Sequence, residues 1–190
     1  MKKISVHLFF CSIILLSTVA CTHSTTLFKE NSEDWEIYGS GQWRFSSDTL
    51  IGKIQEGSGF IMTKQAYKDF VLELEFKPDS TINSGVFIRC SKKELSATDC
   101  HEINIWDSHP NQEYRTGAIV TKTVPISHLK TVNKWNTYKI KAENDRIQVW
   151  LNKILTADSK YQYPNEGFIG LQAMGTGKIL FKSIKLSSIE

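Results

Sequence analysis

From Trp35 onward, hydrophobic and polar residues alternate in short runs broken by Gly, Ser, Asn and Asp. A period of two marks strands with one buried face. Phe70, Leu72, Leu74 and Phe76 alternate with Val71, Glu73 and Glu75, which predicts a strong half-buried strand closed by Pro78 and Asp79. In the next run, Asn83 to Cys90, Val86 and Ile88 are expected inward, with Phe87 and Arg89 on the other face. Trp135 to Glu143 points Tyr138, Ile140 and Ala142 inward. A tight turn at Asn144-Asp145 then returns the chain through Ile147, Val149 and Leu151. Asn152-Lys153 makes a second turn into Ile154 to Ala157, and Gly167 to Met174 and Lys178 to Leu186 supply the last two strands. Shorter runs at 42–45, 49–54, 59–63 and 116–121 bring the expectation to about a dozen strands, with a brief turn or helix within 125–132. No long 3.6-residue periodicity occurs beyond the N-terminal segment. The pattern predicts an all-β, antiparallel β-sandwich.

The stretch His101 to Val120, HEINIWDSHPNQEYRTGAIV, concentrates polar chemistry. Its first part alternates: Ile103 and Ile105 share one face, and Glu102, Asn104 and Trp106 share the other. If these aliphatics and those of 83–90 enter one core, residues paired across the two strands have numbers summing to an odd value. Arg89 opposite Glu102 and Phe87 opposite Asn104 is one such register. It gathers Arg89, Glu102, Phe87, Asn104 and Trp106 on one surface, suited to a polar, ring-shaped ligand. The plain alternative is a solvated strand face.

On that surface Glu102 is a candidate base, although an adjacent Arg89 would lower its basicity or serve as its structural partner. Asp107 lands on the opposite face unless a bulge re-aims it. His109-Pro110-Asn111 reads as a turn, and a loop histidine beside a ligand face can carry protons. Tyr114 and Arg115 are expected at the rim. Gln172 points away from Ile169, Leu171 and Ala173 and so toward the polar face. His101, Asp107 and His109 are metal-capable types, but their spacing matches no metal motif, so no cofactor is expected, a divalent ion being the alternative. Trp135 reads as core or rim packing. Gly175 to Lys178 lacks the remaining residues of a phosphate loop, and no nucleophile elbow is present.

A chain of 190 residues suits one domain with a sizeable core. Its 23 basic and 20 acidic side chains are nearly balanced, and no basic run is interleaved with aromatics, which excludes a nucleic-acid partner on composition. Lys2 and Lys3, the apolar run Ile4 to Leu16, and small residues before Cys21 resemble a bacterial lipoprotein signal, with Thr18 where Leu is commoner. The expected organisation is a signal peptide over 1–20, a lipidated Cys21 with polar tether over 21–32, and a single domain over 33–190. Cleavage near Ala20 to give a soluble secreted protein is the alternative. The mature chain carries a net +1, so membrane attachment is expected only through the lipid, in a cell envelope facing the periplasm or the cell surface. Cys90 and Cys100, separated by SKKELSATD, are the leading disulfide pair in such a compartment. Closing so short a loop contributes roughly 2–3 kcal/mol.

Taken together, NSGVFIRC (83–90), HEINIWDSHPNQEYRTGAIV (101–120), KWNTYKIKAENDRIQVWLN (134–152), GFIGLQAMG (167–175) and ILFKSIKL (179–186) resemble the 3-keto-disaccharide hydrolase family, in order and spacing, over about residues 33–188. The resemblance implies a concanavalin-like jelly roll with a concave sugar-binding sheet. It also implies cleavage of 3-keto-glycosides by a 1,2-lyase and hydratase sequence: the C3 ketone acidifies the C2 proton, the enolate expels the C1 substituent, and water adds to the glucal. Position on the strand faces nominates Glu102 or His109 as base and Arg89 as stabiliser of the enolate oxygen. Asn104, Trp106, Asp107, Tyr114, Arg115 and Gln172 are the expected substrate contacts. Many relatives carry a histidine near the end of the GLQ segment, where this chain has Met174. The rival expectation is a non-catalytic carbohydrate-binding lipoprotein on the same fold.

Overall fold

The computed structural model describes residues 24–27 and 33–189. The signal peptide and Cys21 lie outside the described residues. Thirteen strands follow in chain order: β1 (Ser24–Thr26), β2 (Trp35–Gly39), β3 (Gln42–Ser46), β4 (Thr49–Ile54), β5 (Ser58–Thr63), β6 (Phe70–Pro78), β7 (Ile82–Cys90), β8 (His101–Ile105), β9 (Asn136–Glu143), β10 (Arg146–Leu151), β11 (Ile154–Lys160), β12 (Phe168–Gly175) and β13 (Gly177–Ser188). They form two antiparallel sheets. One has the order β11-β10-β9-β6-β13-β4-β3, with β1 added beside β13; the other has the order β2-β5-β12-β7-β8. The sheets stack into a jelly-roll sandwich.

The alternation read from the sequence sets which side of each strand is buried. Phe70, Leu72, Phe76, Ile140, Val149 and Phe181 of the larger sheet meet Ile61, Val86, Ile88, Ile103, Ile105 and Leu171 of the smaller, all fully buried. Burial of such side chains stabilises the fold by roughly 1.5–3 kcal/mol each. The turns after β9 and β10 use Asn144, Asn152 and Lys153 with φ of 51°, 51° and 70°, the left-handed geometry that two-residue hairpins require. Tyr138 of β9 stacks on Phe76 at 4.6 Å, and its hydroxyl crosses the core to donate to the Asn104 carbonyl of β8 at 2.6 Å. One sheet thereby fixes the strand that carries the site on the other.

The β7–β8 register obeys the odd-sum rule, with a two-residue offset from the expected example. Phe87 pairs with Glu102 and Gly85 with Asn104. Arg89 does not join them. The β7–β12 pairing slips between Cys90 and Phe87, and Arg89 takes a φ of 52°. That bulge resets the alternation: Phe87 and Cys90, three residues apart, belong to one apolar cluster on the outer face. Arg89 turns to the opposite side and is fully buried. Its guanidinium donates to the carbonyls of Lys68 (2.9 Å) and Asn144 (2.8 Å) and pairs with Asp69 at 2.9 Å. The anticipated Arg89–Glu102 neighbourhood does not exist.

Three further expectations change. Residues 116–121 form no regular strand. They lie along the free edge of β8 through Asn104 N–H to Ala118 O, Gly117 N–H to Asn104 O and Val120 N–H to Glu102 O, at 3.1, 3.1 and 2.9 Å. The short helical turn falls at Gln112–Tyr114 rather than within 125–132. Part of the expected tether, Ser24–Thr26, is built into the larger sheet against Lys185 to Ser187.

Arg89→Ala leaves the Asp69 carboxylate without its buried cation, with the Asn144 N–H still donating to it, and removes the guanidinium donor from two carbonyls, so a loss of about 3 kcal/mol or more is expected in urea unfolding. A change below about 1 kcal/mol would show that this buried ion pair does not hold the ends of β7 and β9 together.

Candidate functional site

The outer face of the five-stranded sheet is built from rows set by register. One row runs Tyr38, Phe60 and Gln172 across β2, β5 and β12, and continues through Gly85 to Asn104. The next runs Glu36, Met62, Gly170, Phe87 and Glu102. Half of this face is apolar. Met62, Phe87, Cys90 and Cys100 are buried there, with Tyr38, Phe60, Leu95 and Phe168 packed against them. Cys90 and Cys100 are joined by a disulfide with Cα atoms 4.2 Å apart, as expected from the sequence. The bond roots the 91–99 loop, which lays Leu95 over Gly170; a Cβ on Gly170 would come within 2.9 Å of a Leu95 methyl. Lys93 fastens the same loop to Glu36 at 2.5 Å.

Glu102 stands at the border between this apolar half and a polar one. Phe87 lies opposite it, and Cys100 precedes it by two residues on the strand. Its carboxyl folds over Gly85, where a Cβ would meet the Glu102 Oε1 at 3.1 Å and the Phe87 ring at 3.2 Å. Only glycine leaves that space. Burial pushes the Glu102 carboxyl up to about 7, and no neighbouring charge contributes. Among the described residues it has neither a hydrogen-bond donor nor a cation as partner. On the polar side lie three buried amide oxygens with no partner: Asn83 Oδ1, Asn104 Oδ1 and Gln172 Oε1. An unmet buried acceptor costs about 1–3 kcal/mol, so this concentration asks for donors from outside the chain. Periodicity alone does not mark Asn83 or Gly85; the signal in the sequence is the glycine in NSGVF, inside a strand.

The segment after β8 folds back over the face. The Asn104 amide donates to the Tyr114 carbonyl. His109 packs edge-on between Trp106 (4.5 Å) and Tyr114 (5.6 Å). Its Nδ1 accepts from the Asn111 N–H at 3.0 Å, which places the proton of the neutral ring on Nε2. Trp106, His109 and Tyr114 thus form a ring cluster beside Asn104. Asp107 is directed elsewhere. It accepts from the Thr116 hydroxyl (2.6 Å) and from both the Thr131 N–H and hydroxyl (2.6 and 2.8 Å), tying two loops together. Arg115 donates to Gln112 and to the Leu129 carbonyl, both at 3.0 Å. Asp107 and Arg115 line a separate recess of about 480 Å³ with Lys130 and Lys134. Met174 lies beside Asn83 on the outer face, with its sulfur 3.6 Å from the amide nitrogen.

His101 projects inward, away from Glu102. Its Nε2–H donates to the Pro164 carbonyl at 2.8 Å while Nδ1 accepts from Lys122 at 3.0 Å, and burial lowers its pKa to about 4. His101, Asp107 and His109 do not converge, and no three metal-capable side chains cluster among the described residues.

The neighbouring Glu102 and His101 load the pH dependence of stability in opposite senses. Between about 4.5 and 7 the folded chain keeps a proton on Glu102 that the unfolded chain has released, so stability falls as pH rises. Between about 4 and 6.5 the unfolded chain binds a proton that buried His101 refuses, so stability rises with pH. The two slopes oppose over about 4.5–6.5. Glu102→Gln is expected to uncover the His101 slope, a gain of up to about 3 kcal/mol across that window in urea unfolding. Parallel pH profiles for the variant and the parent would show that Glu102 is already ionised in the folded state.

A candidate glycosyl hydrolase from Parabacteroides distasonis ATCC 8503 is 28% identical, with a TM-score of 0.76, covering 88% of this chain and 100% of its own. A second one from the same organism is 18% identical, with a TM-score of 0.76 and coverage of 88% and 94%. The carbohydrate-binding module CBM66 from Bacillus subtilis shares the fold at 21% identity and a TM-score of 0.63, covering 83% of this chain and 98% of its own. Among curated proteins, none matches the sequence. The profile of the 3-keto-alpha-glucoside-1,2-lyase-like domain matches residues 23–187, nearly the whole described chain, and the protein belongs to that family.

Proposed function

We propose that the outer face of the five-stranded sheet binds a 3-keto-glycoside and that Glu102 is the base that begins its cleavage. One observation carries this reading. Glu102 is a largely desolvated carboxyl of pKa about 7 with no partner among the described residues, flanked by three buried acceptor oxygens that lack donors there. A base that is half ionised near neutrality is both available and strong enough to take a carbon-bound proton. The family match and the 28% identical glycosyl hydrolase relative support glycosidic chemistry.

In the proposed sequence Glu102 takes the C2 proton, and the electron pair passes into the C2–C3 bond and onto the C3 oxygen. The enolate then re-forms the ketone as the C1–O bond breaks, with a proton delivered to the leaving oxygen. Water adds at C1 of the resulting enone, and C2 regains a proton, giving the free 3-keto sugar. With Arg89 buried in another part of the fold, the enolate oxygen is served by neutral donors, among them the Gln172 amide. The Nε2–H of His109 is a candidate donor to the departing oxygen. Asn83, Asn104 and Gln172 accept from sugar hydroxyls through their unpaired oxygens. The ring cluster of Trp106, His109 and Tyr114 borders the leaving group. We place the protein at the cell envelope, held by lipid on Cys21, because the N-terminal sequence has that pattern.

A second reading, carbohydrate binding without cleavage, is favoured by the stacked Tyr38–Phe60 pair (5.0 Å) on the same face and by the shared fold of CBM66. Product analysis with 3-keto-glucosides and their unoxidised parents separates the two. Cleavage of keto substrates alone is expected, with kcat/KM rising tenfold per pH unit below about 7 and levelling above it. Glu102→Gln is expected to lower turnover by at least 100-fold while leaving substrate binding within a few-fold. Binding without cleavage by the parent protein would establish the second reading, and full activity in Glu102→Gln would remove Glu102 from the chemistry.

A further inference from the structure

A further recess lies away from both flanks of Glu102, on the outer face of the other sheet. It has a volume of about 580 Å³, within the range of small-ligand sites. Register assembles it. Trp150 of β10 is level with Lys139 of β9, Lys139 with Glu73 of β6, and Glu73 with Lys185 of β13. The adjoining row carries Thr137, Glu75 and Lys182. A bulge in β13 sets two residues, Ser183 and Ile184, against Leu74 alone, and Ser183 takes a φ of 53°. The bulge turns the Ser183 hydroxyl outward to donate to Glu75 at 3.0 Å, where it lines the recess.

We propose that this recess is a second carbohydrate site, which takes a neutral glycan chain across the Trp150 indole. The lining argues the ligand class. Trp150 offers an aromatic face bearing only the Lys139 ammonium, 5.8 Å from the ring centroid. Trp135, exposed by 37%, carries Lys182 at 4.4 Å from its ring on the same sheet. Aromatic faces receive the C–H face of a pyranose, which is apolar, while the ring's edge bears hydroxyls. Around Trp150 the polar groups interleave in sign: Glu73 and Glu75 accept, and Lys139, Lys153 and Lys185 donate. Among the described residues, Glu73, Lys153 and Lys185 make no ion pair or side-chain hydrogen bond, so their bonding capacity is directed outward. A polyanion would meet Glu73 and Glu75, and a polycation the three lysines. A neutral polyol uses donors and acceptors together. The site is independent of the chemistry assigned to Glu102, because the two faces belong to different sheets.

Electrophoresis of the purified protein through native gels containing dextran, β-1,3-glucan or polygalacturonate tests the proposal. Retardation by at least one neutral glucan is expected. Trp150→Ala is expected to weaken it at least tenfold, and Glu102→Gln to leave it unchanged. Glu73→Ala combined with Lys185→Ala, which spares the indole, is expected to weaken it about threefold and guards against a folding defect in Trp150→Ala. Three results would overturn the proposal: no retardation by either neutral glucan, retardation by polygalacturonate alone, or retention that Trp150→Ala does not reduce. Sedimentation supplies a fourth: a parent dimer that Trp150→Ala converts to monomer would assign the face to self-association.

Discussion

The pairing of Phe87 with Glu102 is the constraint on which the rest depends. Side chains alternate across a strand, so a slip of one residue between β7 and β8 would send Ile103 and Ile105 to water and Glu102 into the core. Neither sheet could tolerate that exchange. The register is therefore enforced by the aliphatic interior, and the polar outer face is its by-product. The Tyr138 hydroxyl adds a second lock, because it donates across the core to the carbonyl of Asn104, the next outward residue after Glu102 on the same strand.

The properties of Glu102 follow from what the register puts beside it. Its flank toward Phe87 and the Cys90–Cys100 bond supplies no hydrogen bonds, and its flank toward Asn104 and Gln172 supplies oxygens that are themselves unsatisfied. A carboxylate is poorly tolerated by either. His101, one residue earlier, meets the opposite treatment on the inner side, where burial, with the Lys122 ammonium beside it, disfavours its charged form. Adjacent residues on one strand thus have their charged forms disfavoured by separate surroundings, an acid with its pKa raised and a base with its pKa lowered.

Much of this was legible from periodicity. The inward sets of β6, β9 and β10, both tight turns, the odd-sum pairing and the disulfide all follow from local rules, and the structure agrees with them. What was not legible has a common physical cause. Arg89 was assigned by counting in twos, and a bulge with left-handed backbone geometry breaks that count; nothing in FIRC announces it. The sequence makes Asp107 a ligand contact only if a bulge turns it to the polar face, and its oxygens are instead filled by Thr116 and Thr131. Asn83 and Gly85 escaped notice because their importance lies in what surrounds them: an amide oxygen that lacks a donor and a missing side chain that makes room for another residue's carboxyl.

The irregular segment 116–120 has a consequence for anyone who would redesign the loop that bears Trp106, His109 and Tyr114. β8 is the last strand of its sheet, and its outward N–H and C=O groups are capped by Ala118, Gly117 and Val120. An uncapped border of this kind recruits strands from other molecules and seeds aggregates. Loop grafting that freed this border would let molecules adhere edge to edge, so the loop's sequence is constrained by self-association as well as by what its rings contact.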